Sequence, residues 1–131
     1  MRPGLVRGMA ATVETVVSPE MTARLGGQRI HPVLATATLI EWLEWAGRKL
    51  ILPYLEPDED AVGYRIEFVH LCPLTVGQRF TATAEFQSQE GNRVVAAVYA
   101  DAAPGRLGQG LFTQVVLPQK ALAARWRGAR E

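Results

Sequence analysis

The chain has 131 residues, 48% of them hydrophobic and 21% charged, with a net charge of +1. That length predicts one domain over residues 1–131, since domains run to roughly 100 to 150 residues, and the composition excludes a disordered or fibrous chain. The balanced charge argues against nucleic acid, the lone Cys72 can close no intramolecular disulfide, and no apolar run nears the roughly 20 residues of a membrane span, so a cytoplasmic protein with no membrane partner is expected.

In chain order, residues 11–17 (ATVETVV) are rich in β-branched side chains and predict a strand ended by Ser18 and Pro19. Residues 18–32 (SPEMTARLGGQRIHP) mix Gly, Pro and polar residues. They predict a long connection with at most a short helical turn around Pro19 to Leu25. From Leu34 the period changes. At 100° per residue, Ala35, Leu39, Trp42, Leu43, Ala46, Gly47 and Leu50 share one wide face, while Glu41, Trp45, Arg48 and Lys49 lie opposite or at its margins. This predicts one long amphipathic helix, bent or ended near Pro53.

Past the polar turn EPDED the period becomes two. GYRIEFVHL, TATAEFQSQ, RVVAAVYAD and LGQGLFTQVVL each alternate well enough for a half-buried strand. Their short links PLTVGQ, EGN and APGR predict antiparallel pairing of consecutive strands, with positive φ at Gly91 and Asn92. The final RWRGARE, with Arg125, Arg127 and Arg130, reads as a solvated end. Strand, long loop, long helix and four strands make an α+β layer architecture. That order fits the hotdog fold, an antiparallel sheet wrapped around one long central helix. One helix leaves much of the sheet uncovered, so a homodimer is expected.

Glu44 falls at the edge of the apolar helix face, whereas Glu41 lies further toward water. Taken alone, Glu44 reads as an i,i+4 partner of Arg48, a pair contributing about 0.3 to 0.5 kcal/mol. Alternation in GYRIEFVHL places Tyr64, Ile66, Phe68 and His70 on one face. His70 taken alone reads as a core-edge histidine, and His31 as a turn residue. Two distant histidines with no cysteine near them form no metal pattern, so no metal is expected. Thr36 and Thr38 open the helix as capping candidates, and a helix N-terminus can also receive an oxyanion. Thr36 and Glu44 are eight residues apart, about 12 Å along an ideal helix, too far to touch within it. A shared site requires Thr36 to lie before the helix or to come from a second subunit.

Together these residues resemble the fluoroacetyl-CoA thioesterase-like hotdog family. VLATATLIEWLEWA is similar to its A-T-x-x-x-x-x-x-M/L-E-x-A segment, with Thr36 and Glu44 at matching positions, and VGYRIEFVHLCPLTVGQRFT places Gly63, His70 and Gly77 in register. The similarity spans roughly residues 30–118. It implies hydrolysis of an acyl-CoA thioester without a cofactor. Thr36, Glu44 and His70 would be the catalytic set, and Gly63, Tyr64, Phe112 and Gln114 would bind substrate. Glu44 would attack the carbonyl or activate water, and His70 would carry the proton. Where the family carries G-T-H-x-R, this chain has Gly110-Leu111-Phe112-Thr113-Gln114, which implies a less polar or differently shaped acyl pocket. A non-catalytic acyl-CoA binding module on the same scaffold is the alternative. A hydratase would present a D-x-x-x-x-H arrangement, which is not found around His70.

Overall fold

The computed structural model describes residues 1–130, with side chains as far as Gly128. Strand β1 spans Ala10–Val16, and a 3-10 turn at Pro19–Met21 leads into β2 (Thr22–Leu25) and β3 (Gln28–Leu34). Helix α1 occupies Thr36–Ile51 and tightens into a 3-10 turn at Leu52–Tyr54, where Pro53 has no N–H to continue the ladder. Strands β4 (Glu59–His70), β5 (Arg79–Glu90), β6 (Arg93–Ala102) and β7 (Gly105–Pro118) follow, and α2 covers Gln119–Arg130.

Five strands form one antiparallel sheet in the order β1-β5-β6-β7-β4. The sheet curls around α1, whose Leu39, Leu43, Ala46 and Leu50 are buried against it. Ala82, Ala84, Ala96 and Ala100 are buried on β5 and β6, and such small side chains let a helix backbone sit close to a sheet. Burying each of the three leucines contributes about 1.5 to 3 kcal/mol, so the apolar stripe read from the sequence is what docks the helix.

Three expectations change. Residues 22–34 form a two-stranded hairpin rather than a loop, turning through Gly26 and Gly27 at φ +58° and +79°. Strands β4 and β5 are not neighbours: β4 pairs with β7, and β5 with β1. The link between them is long enough to cross the sheet, and it is anchored by buried Leu74, whose carbonyl accepts from Leu34 N at 2.8 Å. Only Gly91 has positive φ in the β5–β6 turn, and Asn92 does not. The RWRGARE segment lies mostly in α2, where Arg125 and Arg127 are exposed, in keeping with a solvated end.

A bulge sets the phase of β4. Gly63 pairs with Gln114 and Arg65 with Thr113, so Tyr64 is the extra residue. This turns Tyr64 outward, 57% exposed, while Ile66, Phe68 and His70 stay half-buried on the inner face.

Candidate functional site

The helix entrance and the end of β4 are tied down by backbone bonds. Ala35 N donates to Met21 O at 2.8 Å, and Leu71 N donates to Leu107 O at 2.7 Å. Thr36 is the first residue of α1. The N-cap position belongs to Ala35, which has no side-chain cap, so the Thr36 hydroxyl is not used for capping. It lies instead 2.7 Å from His70 Nδ1. Either the hydroxyl donates to Nδ1, or Nδ1–H donates to the hydroxyl oxygen and leaves its own proton free for another acceptor.

The other ring nitrogen, Nε2 of His70, is buried without a hydrogen-bond partner. Such an atom costs about 1 to 3 kcal/mol, a cost that native proteins accept mainly where function requires it. The Phe68 ring lies tilted against His70, centroids 6.3 Å apart, an apolar neighbour for the imidazole.

Glu44 lies two helical turns further along α1, in a cleft of about 260 Å³ that Gly63, Phe112 and Gln114 also line. The expected pairing of Glu44 with Arg48 is absent. Arg48 instead bonds Asp60 at 2.9 Å and the Ala61 carbonyl at 3.2 Å, and among the described residues no salt bridge involves Glu44. Burial would raise the Asp60 carboxyl, but the Ala61 N–H and Arg48 outweigh it and hold it below its ordinary range. Gln114 is 3% exposed, and its Nε2 donates to Gly47 O at 3.0 Å. A Cβ on Gly63 would stand 3.7 Å from Glu44 Oε2, in ordinary contact, so the strand backbone at Gly63 borders the carboxylate directly.

The structure thus brings Thr36 and His70 together, and separately brings Glu44, Gly63, Phe112 and Gln114 together. Tyr64 joins neither group. On the outer face of the sheet its ring lies under the Arg93 guanidinium, 4.6 Å from the centroid, and its hydroxyl accepts from Arg93 at 3.3 Å. His31 is exposed on β3. Among the described residues no group of three or more His, Cys, Asp or Glu side chains could hold a metal. Sequence reasoning missed Asp60 as the partner of Arg48, and Gly47 as the contact of Gln114 and Phe112. A glycine on the apolar face of a helix was the available signal for the second.

The two groups are far apart within one chain. Thr36 and Glu44 are separated by about 12 Å of helix, and Gly63 and His70 by roughly 20 Å of strand.

A family model described as fluoroacetyl-CoA-specific thioesterase matches residues 17–120. The fluoroacetyl-CoA thioesterase of Streptantibioticus cattleyicolor is 30% identical over 97% of this chain and 96% of its own. A Thermus thermophilus protein described as a thioesterase superfamily member superposes with a TM-score of 0.95 at 41% identity, covering 99% of this chain and 96% of that one. A threonine-to-serine variant of the fluoroacetyl-CoA thioesterase FlK, solved with acetyl-CoA, gives a TM-score of 0.89 at 28% identity over 97% of this chain and all of that one.

Proposed function

The chain belongs to the fluoroacetyl-CoA-specific thioesterase family and is a hotdog-fold acyl-CoA thioesterase, and we propose that it works as a homodimer whose sites are each assembled from two subunits. The observation that carries this reading is the 2.7 Å contact between Thr36 and His70, made while Glu44 stands unpaired two helical turns away. A thioesterase needs a group to attack or to activate water, a proton carrier and donors for the oxyanion. One chain presents these as two half-sites.

The free edge of β4 supplies a way to join them. β4 ends the sheet, so its outer N–H and C=O groups are open to a second strand. Antiparallel pairing of two β4 strands about a two-fold axis near Ile66 and Glu67 sets His70 of one subunit opposite Gly63 of the other. Gly63 borders Glu44. The same rotation therefore carries the Thr36–His70 pair of one subunit toward the Glu44 cleft of its partner, twice per dimer. Exposed Val69 and Leu71 beside this edge would be covered as well.

In the assembled site the Glu44 carboxylate either attacks the thioester carbonyl, giving an acyl anhydride on Glu44 that water then hydrolyses to the free acid, or draws a proton from a water that attacks directly. The C–S bond breaks as the tetrahedral intermediate collapses, and the sulfur leaves as thiolate to be protonated. His70 moves protons through Nδ1 and the Thr36 hydroxyl, 2.7 Å apart. Backbone N–H groups at the α1 N-terminus are placed to receive the oxyanion. The acyl group is uncharged: the cleft carries Glu41 and Glu44, its Arg48 is occupied by Asp60, and Gln114 stands where the family motif has an arginine.

Steady-state hydrolysis of a panel of neutral and carboxylated acyl-CoAs tests this. Wild type turns over neutral thioesters, and Glu44→Ala and His70→Ala each lower kcat/KM by about 100-fold or more. Full activity in both variants would remove these residues from the mechanism.

A further inference from the structure

We infer that Phe112, seated against the bare backbone of Gly47, limits the length of the acyl chain that the Glu44 cleft accepts. This rests on the thioesterase reading of that cleft and assigns Gly47 a positioning role. Phe112 is 3% exposed, and its ring fills the space between α1 and β4. A Cβ at Gly47 would stand 2.7 Å from Cδ2 and 2.8 Å from Cε2 of the ring, closer than real side chains come. The ring can lie there only because position 47 has no side chain. Glycine inside a helix is unfavourable relative to alanine, so one on the buried face needs a packing reason, and the ring is that reason.

The opposite edge of the ring faces the chemistry. A Cβ at Gly63 would be 3.4 Å from Cε1 of Phe112 and 3.7 Å from Glu44 Oε2, so ring edge and carboxylate border the same small space. Gln114 closes the next position, its amide held by the Gly47 carbonyl at 3.0 Å. An acyl carbonyl within reach of Glu44 directs its chain toward a floor made of a buried ring and a tethered amide. A longer chain must move the ring, and the helix behind the ring gives it nowhere to go. An interior packed at crystal-like density resists that displacement.

The test measures kcat/KM on straight-chain acyl-CoAs from acetyl to dodecanoyl for wild type, Phe112→Leu and Gly47→Ala. Wild type favours short chains and falls by about tenfold or more within a few methylenes past its optimum. Phe112→Leu shortens the floor and raises the long-to-short ratio about tenfold. Gly47→Ala pushes the ring toward Gly63 and Glu44 and lowers the same ratio. Each ratio compares two substrates on one sample, so partial unfolding of a variant cancels. If one variant does not fold, the other variant and the wild-type profile still decide. Equal wild-type efficiency on butanoyl- and dodecanoyl-CoA, unchanged ratios, or both variants shifting the ratio the same way would overturn the length limit while leaving the thioesterase reading intact. No turnover at any length by wild type would overturn the thioesterase reading and the length limit with it.

Discussion

Arg48 lies one helical turn past Glu44, the spacing at which helices pair opposite charges, yet its guanidinium is committed to Asp60 and the Ala61 carbonyl. On the proposed reading this leaves Glu44 free to meet substrate, with Asp60 occupying the cation that lines the same cleft. Asp60→Asn should release Arg48 toward Glu44 and lower kcat/KM by about tenfold, with Arg48→Gln in the same chain recovering most of the loss. Unchanged activity in Asp60→Asn would end that account. The carboxyl of Asp60 is held below its ordinary value of 3.8, so its contribution to stability is fully present above that pH and is lost as pH falls through the lower folded value. The stability difference between wild type and Asp60→Asn should accordingly be flat near neutral pH and vanish in strong acid. At this scale the marginal position of Glu44 and the inward face of His70 could be read from periodicity. The outward turn of Tyr64 could not, because one extra residue at Gly63 to Arg65 reverses the phase of everything before it.

Two glycines in β7 show how closely the elements approach. A Cβ on Gly110 would enter the Glu67 carbonyl of β4, and one on Gly108 would enter the Phe68 ring. Gly110→Ala should therefore cost about 2 kcal/mol or more in chemical denaturation, by forcing β4 away from β7. A loss within about 0.5 kcal/mol would show that the strands relax freely. The β2–β3 hairpin escaped the sequence reading for a different reason. Most of β3 is exposed, so no alternation marks it, and the only local signal was the Gly-Gly pair that turns it. Helix α1 and strands β5 to β7 were legible because each has one buried face. The α2 helix, after β7, has only a weakly buried stripe around Leu122, which explains why its arginine-rich sequence read as a solvated end.

At the scale of the whole molecule, a sheet ending in the twelve-residue β4, paired with β7 on one side only, and a proposed catalytic set split between two places call for the same remedy. Sedimentation at micromolar concentration should show a dimer, and Val69→Glu, which introduces a charge beside the β4 edge, should shift it toward monomer with loss of activity. The α+β layering was readable from the order of the elements. The proposed division of the site is foreshadowed only by the eight-residue spacing of Thr36 and Glu44, since nothing in one sequence states how two copies meet. The most direct test is subunit complementation. Inactive Glu44→Ala and inactive His70→Ala chains are mixed, dissociated and reassociated, and thioester hydrolysis is measured. If each site takes Glu44 from one subunit and His70 from the other, half the chains' pairings are mixed and each mixed dimer has one intact site, so about a quarter of wild-type activity returns. If no activity returns from a mixture shown to contain mixed dimers, the site lies within a single chain and the account of a shared one is wrong.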